Sequence, residues 1–228
     1  MAEWRLLRGW SAEELRTRVE AIATAERNFD AEEEKMTGET GWYHYYSEAV
    51  IARELEGTDR FERARVGLRH YQFSHPGIVM AHFDPDAPLL SRRMLLEIQV
   101  LGLHYLCPAL VSRVREEPSV YGFRYDTLDG HIESGMEWFL LTKDARGDIR
   151  FRIEARWRHG DFPNWWSRVG FMLLSGPYQR RWHREAHRRL SLLAHYGSTS
   201  RPPRDRAGLT HQGVDVNFTY YTKRKWLQ

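Results

Sequence analysis

The sequence predicts an α+β fold: a curved antiparallel sheet wrapped on a long C-terminal helix, with a helical extension at the N-terminus. Three observations predict it. Between residues 78 and 157, five or six segments rich in apolar and aromatic residues are separated by clusters of Gly, Pro, Asp and Ser, the pattern of strands joined as sequential hairpins. The last of them alternates cleanly: Ile149, Phe151, Ile153, Ala155 and Trp157 share one face and charged residues the other, as in a half-buried antiparallel strand. Beyond residue 178, Trp182, Ala186, Leu190 and Leu193 fall on one helical stripe, with Arg180, Arg181, Arg184, Arg188 and Arg189 over much of the rest. A helix with a single apolar stripe needs a surface to lie on, and the preceding strands supply one.

The elements follow in order. Ser11 and Glu14 have the spacing of a capping box, and Leu15, Val19, Ile22 and Ala23 then share a face, so a helix is expected from 12 to about 27. Asp30 to Lys35 is an acidic run read as a solvated connection; it lacks the glycine-punctuated loop of a calcium site. The aromatic burst Trp42-Tyr43-His44-Tyr45-Tyr46 is expected to plug the end of the domain, a role preferred over that of a stacking surface. Phe61, Ala64, Leu68 and Tyr71 predict a second helix over 60–73, stopped by Ser74-His75-Pro76-Gly77. Strands are expected at 78–83, 94–100, 103–114, 119–125, 134–142 and 149–157. Trp165, Val169, Met172 and Leu173 open a helix that Ser175-Gly176-Pro177 interrupts before it resumes from Tyr178 to Tyr196. Ser198 to Arg206 reads as linker. Val214, Val216, Phe218 and Tyr220 then alternate with polar residues, and an added edge strand is preferred to a mobile tail. The expected organisation is an extension over 1–54, the main domain over 55–197, and a linker and tail over 198–228.

Composition narrows the function classes. The 34 basic and 31 acidic residues of this 228-residue chain nearly balance at +3, so nucleic acid is not the expected partner despite a basic pI. Nine Trp, with 13% aromatic residues overall, allow a large core or a lined cavity. Cys107 is the single cysteine; it lies in an apolar run and is expected to be buried packing rather than a nucleophile. The N-terminus has no apolar signal region, and no run approaches the ~20 apolar residues of a membrane span, so a cytoplasmic location is expected. No phosphate-binding glycine loop and no Gly-x-Ser-x-Gly elbow occurs, and neither a cofactor nor a metal is expected.

Chemistry could concentrate in the hairpin from Val120 to Phe139, whose turn packs Thr127, Asp129, His131 and Glu133 together. These could hold a ligand or shuttle a proton, with His131 titrating near neutrality. The preferred structural reading has Thr127 and Asp129 bonding the turn's own backbone while His131 and Glu137 pair across strands. His183 and His187 stand one helical turn apart, as in zinc-protease helices. Glu185 between them has the wrong offset for a general base and Arg184 intervenes, so a solvated face is expected.

Three stretches carry a more specific resemblance. Phe61-x-x-Ala64-x-x-x-Leu68, then Tyr125-Asp126-Thr127-Leu128-Asp129-Gly130-His131-x-Glu133-x-Gly135-x-Glu137, then Gly176-Pro177-Tyr178-Gln179 together resemble the DUF1990 or UPF0548 family of uncharacterised proteins. The family hairpin has glycine at position 126, proline at 129 and glutamate at 136, where this chain has Asp126, Asp129 and Met136. The likeness covers about residues 55 to 195. It implies a helix-grip fold similar to the START and Bet v 1-like superfamily, whose members enclose an apolar cavity, and it implies no reaction.

On that basis the first expectation is a ligand-binding module whose cavity is lined by Leu96, Ile98, Val100, Phe151, Ile153 and Trp182, with Tyr125, Thr127, His131, Glu137 and Trp182 as ligand contacts. The alternative is an enzyme in the same cavity, cyclase- or dehydratase-like, with His131 as acid/base and Tyr125 as donor. A second alternative is a partner or nucleic-acid surface formed by the basic helix and Lys223-Arg224-Lys225.

Overall fold

The computed structural model describes residues 3–30, 41–160, 162–197 and 217–221, the last stretch as backbone. Most of the acidic run, the 198–206 linker and the Lys223–Lys225 end lie outside these residues.

Strand formation starts in the period-two segments. The strands are β1 (Glu3–Leu6), β2 (Tyr43–Arg53), β3 (Val79–His82), β4 (Arg93–Val100), β5 (Leu103–Glu117), β6 (Val120–Thr127), β7 (Glu133–Lys143), β8 (Asp148–His159) and β9 (Asn217–Tyr221). The helices are α1 (Ala12–Ala21), α2 (Arg60–Arg69) and α3 (Trp165–Tyr196). Among the described residues the strands form one antiparallel sheet in the order β3-β4-β5-β6-β7-β8-β2-β9, with β1 pairing β5 off this path. From β3 to β8 neighbours in sequence are neighbours in space, the meander that the turn spacing predicts. The sheet is gripped on its inner face by α3, with α2 packed beside it: a helix-grip fold.

The core sits where α3 crosses the sheet. Phe73, Phe123, Phe139 and Phe151 are all buried there, with centroids of 4.9 Å for Phe73–Phe139 and 5.2 Å for Phe123–Phe139, within the range of favourable ring contacts. From α3 the expected stripe of Trp182, Ala186, Leu190 and Leu193 is buried against them.

Four local expectations are corrected. The aromatic burst is no plug: Tyr43 to Arg53 is β2, paired with β8 on one side and β9 on the other, so the expected extension contributes a strand to the sheet. Aromatic residues suit strands as well as caps, and the alternation of Tyr45, Ser47 and Ala49 on the buried face was the signal for one. The capping box of α1 forms, with the Glu14 N–H donating to Ser11 Oγ at 3.2 Å and the Ser11 N–H to Glu14 at 2.8 Å. The helix nevertheless stops at Ala21, followed by a 3₁₀ turn over Ile22–Thr24, and buries no residue. α2 ends at Arg69 because Tyr71 turns left-handed (φ 57°), yet Tyr71 and Phe73 still face inward, so apolar spacing alone overstated its length.

Finally, α3 runs unbroken through Pro177. The carbonyl of Leu173, which Pro177 cannot serve, lies at a residue 72% exposed, where solvent can take up the missing bond. In this first half of α3, Trp165, Val169, Met172 and Leu173 face outward rather than forming a buried stripe.

Candidate functional site

Under the N-terminal half of α3 the sheet does not close onto the helix, and a hollow of about 240 Å³ remains. Leu96, Ile98 and Val100 of β4 and Trp182 of α3 line it as expected. Phe151 and Ile153 do not; they are fully buried in the packed core. The rest of the wall is strongly aromatic, with Tyr45, Tyr71, Tyr105, Tyr125, Phe171 and Tyr178 among it.

One row of the sheet builds the polar floor. Tyr125 on β6 stands opposite Glu137 on β7, Glu137 opposite Ala155 on β8, and Ala155 opposite Tyr45 on β2. The small Ala155 lets Tyr45 reach across β8, so both tyrosine hydroxyls donate to the Glu137 carboxyl, Tyr45 to Oε1 at 2.5 Å and Tyr125 to Oε2 at 2.5 Å. Glu137 is 3% exposed. Burial pushes its carboxyl up to about 7, although the hydrogen bonds from Tyr125 and Tyr45 favour the charged form. Burial likewise holds the Tyr125 hydroxyl well above its ordinary range, with the Glu137 charge adding to the shift.

Four residues before Glu137, at the start of β7, Glu133 also lines the hollow, half-buried. Loss of solvation, and then the charge of Glu137, pushes its carboxyl up to about 8. The carboxyls on β7, four residues apart, therefore share one strand face across Gly135. That glycine is needed here: a Cβ on Gly135 would lie 2.2 Å from the Arg156 carbonyl oxygen and 2.6 Å from Trp157 Cα.

The hairpin turn is not an exposed tip. Leu128, His131 and Ile132 are buried because the segment after α1 straps the turn: Asp129 N–H donates to Glu26 O at 2.8 Å and Asn28 Nδ2 to Glu133 O at 2.9 Å. Arg27 pairs with the buried Asp126 at 3.0 Å, and Arg124 reaches the same carboxylate at 2.8 Å. Position 126, where the family has glycine, thus carries an ion-paired acid on the face away from the hollow.

His131 does not titrate near neutrality. Burial lowers its pKa to about 3, so the ring is neutral at physiological pH. Its Nδ1 accepts the Glu133 N–H at 2.9 Å, which leaves the ring proton on Nε2, a buried atom without a partner among the described residues. Nor does His131 pair with Glu137, whose cross-strand partner is Tyr125. Thr127 is brought to a different place from the other expected ligand contacts: its hydroxyl donates to Asn28 Oδ1 at 2.6 Å and accepts the Gly135 N–H at 2.8 Å, fastening the turn. Trp182 presents its ring to the hollow while its Nε1 donates to Ser74 Oγ at 2.9 Å. Asp129 lies in a separate polar cleft with Asn28 and Ser134. So Tyr125, His131, Glu137 and Trp182 meet at the hollow and Thr127 does not line it. Tyr45, Tyr71 and Glu133 complete it. Tyr45 was missed because its segment was taken for a plug.

The pair His183 and His187 is also corrected. Neither is solvated: they are 2% and 0% exposed, and both rings contact Ser47 Oγ on β2, His187 at 2.9 Å. They follow Trp182 and Ala186 by one position each, so a wide buried face of α3 includes them, while the intervening Arg184 points elsewhere. Burial lowers the pKa of His187 to about 3 and that of His183 well below its ordinary value. Cys107 is buried, and loss of solvation pushes its thiol up to about 12, which leaves it inert as a nucleophile. Among the described residues no group of three or more His, Cys, Asp or Glu is placed to hold a metal, and no helix is long and apolar enough to cross a membrane.

The fold and the site define a helix-grip protein with an aromatic hollow floored by a carboxyl–tyrosine cluster. The chain matches the model of a domain of unknown function, DUF1990, over residues 23–189, and it belongs to that family. It is 33% identical over 108 residues to a UPF0548 protein of Deinococcus radiodurans, which covers 43% of this chain and 54% of the relative. It is 26% identical over 113 residues to a UPF0548 protein of Arabidopsis thaliana, 46% of this chain and 54% of that one. The chain thus spans about half the length of the curated relatives it matches. Among solved structures it is similar to Ara h 8.0201, with a TM-score of 0.40 and 9% identity, over 66% of this chain and 98% of that one.

Proposed function

We propose that this chain binds a small, largely apolar molecule in the hollow between the sheet and α3. One observation carries the reading: an aromatic-walled space of about 240 Å³ into which a carboxyl–tyrosine cluster of Glu137, Tyr45 and Tyr125 faces, with Glu133 and His131 also on the lining. Apolar walls supply affinity through burial, and a few placed polar groups orient the bound molecule. A packed core would instead fill such a space with side chains to crystal-like density.

The test is to purify the protein gently and search by native and organic-extract mass spectrometry for a co-purified small molecule, then titrate an environment-sensitive apolar fluorophore. Substituting Ile98→Trp, on the wall, should lower probe affinity at least about tenfold, the order expected when about 1.4 kcal/mol of contact is lost. A protein that neither carries a molecule nor takes up the probe refutes the reading.

A second reading is an acid–base catalyst in the same hollow. The observation that favours it is the pair of carboxyls on one face of β7, Glu137 buried and Glu133 half-buried, whose pKa values rise to about 7 and about 8, the range a general acid or base needs near neutral pH. In this reading Glu137 carries the proton and His131 is a neutral hydrogen-bond donor. Once the bound molecule is known, Glu137→Gln separates the two readings: turnover is abolished under catalysis, and no turnover exists to lose under binding alone.

A further inference from the structure

The hollow holds two acids for which its own described lining supplies no cation. Two carboxyls face it, yet its described lining contains no Lys or Arg. Each Glu137 oxygen accepts one tyrosine proton and keeps lone-pair capacity for another donor. The Glu133 side chain makes no hydrogen bond or ion pair with any described residue. His131, 2% exposed, lines both this hollow and the neighbouring polar cleft, and its Nε2–H has no partner among the described residues. Buried acids are ordinarily paired with a cation or fully hydrogen-bonded, and this cluster is neither.

The walls match the same missing partner. Tyr45, Tyr71, Tyr125 and Trp182 surround the acidic end, and aromatic faces attract a desolvated ammonium as well as an apolar body. An anionic molecule would meet two acids with no cation beside them, and a neutral one would leave the ionised forms of both disfavoured, whereas an ammonium supplies the charge that stabilises them. The volume of about 240 Å³ is the room of about eight waters, which suits one ring with a short side chain.

We propose that the hollow selects a small organic amine, its ammonium head donating to Glu137 and Glu133 and its ring or hydrocarbon body held between the tyrosine and tryptophan walls. This rests on the reading that the hollow is a binding site. His131 Nε2–H adds a place for a hydrogen-bond acceptor on the same molecule, such as a hydroxyl or carbonyl oxygen.

The experiment is a calorimetric titration of the full chain with three probes of one shape: 3-phenylpropylamine, 3-phenylpropanol and 3-phenylpropanoate. The amine should bind at least about tenfold more tightly than the alcohol, through charge-assisted hydrogen bonds in a desolvated site, and the carboxylate should not bind measurably. Glu137→Gln and, separately, the half-buried Glu133→Gln should each bring amine and alcohol to within about threefold of one another, with a thermal melt confirming that each variant is folded. Alcohol binding as tight as or tighter than amine in the wild-type protein overturns the amine assignment and leaves the binding hollow standing. Failure of all three probes overturns both. Retention of the full amine preference in both folded variants also overturns the assignment, since the ammonium would then be held elsewhere.

Discussion

Replacing Glu137 by Gln removes one buried carboxyl while keeping its shape and its capacity to hydrogen-bond Tyr45 and Tyr125. The consequence for stability is set by proton linkage. Unfolded, the carboxyl titrates at its ordinary 4.5; folded, burial moves it to about 7. The raised value means that the native state holds a proton the unfolded state releases. The associated stability is therefore fully present below pH 4.5 and is lost as the pH rises through about 7. At about 1.4 kcal/mol per pH unit, the wild-type protein should lose about 2.5 kcal/mol between pH 5 and pH 9 through this group alone. The Gln variant lacks this loss, and removal of the Glu137 charge also eases the shift on Glu133, which acts in the same direction. Urea denaturation of both proteins at several pH values from 5 to 9 measures the difference, in which titrations common to both cancel. The variant should gain on the wild type by about 2.5 kcal/mol across this range, whatever its absolute stability at pH 5. A difference that stays flat with pH, or moves the other way, refutes a buried carboxyl with a raised pKa and with it the electrostatic account of the floor.

Three further outcomes are expected. The buried His131, His183 and His187 are held neutral, so each favours the unfolded state as the pH falls from 6.5 toward the depressed native values; His187→Gln should make the acid limb of stability shallower by about 1.4 kcal/mol per pH unit, read from denaturation between pH 6 and pH 4. Gly135→Ala should destabilise by about 3 kcal/mol or prevent folding, because its Cβ would strike the β8 backbone at Arg156 and Trp157; circular dichroism melts check it. Gly170→Ala should stabilise by about 1 kcal/mol, since Gly170 lies inside α3 with nothing within 4 Å of an added Cβ, and a raised melting temperature would show it.

Legibility in the sequence followed burial pattern. The strands β3 to β8 were readable because alternation and turn residues are local signals, and α3 because a stripe at spacings of four, four and three is equally local. β2 was not read as a strand: a run of aromatic residues suits a cap or a strand equally, and only pairing with β8 decides. Pro177 was taken as a break because local rules penalise proline in a helix, whereas an exposed carbonyl at Leu173 can bond to solvent. The two helical histidines looked solvated beside so many arginines, and only the lie of α3 on β2 shows that they share Ser47.

At the site, Tyr125, His131, Glu137 and Trp182 were singled out from the chain alone, on hairpin chemistry and helix stripe. Their partnerships were not, because a partnership joins residues distant in sequence. The bond between Tyr45 and Glu137 spans 92 positions and depends on β2 lying beside β8 with a small Ala155 between. Titration near neutrality, expected of His131, falls instead to the carboxyls for the same reason. A side chain's pKa answers to its solvation, and solvation is fixed by what the fold stacks over it: the strap from Glu26 to Asn28 over the turn, and α3 over the floor. What the sequence by itself determined is the strand meander, the gripping helix and a set of candidate residues, since periodicity and residue type are local properties. What only the tertiary structure decided is which of those residues touch, which are charged, and where the hollow lies, since these depend on distances and burial between segments far apart in the chain.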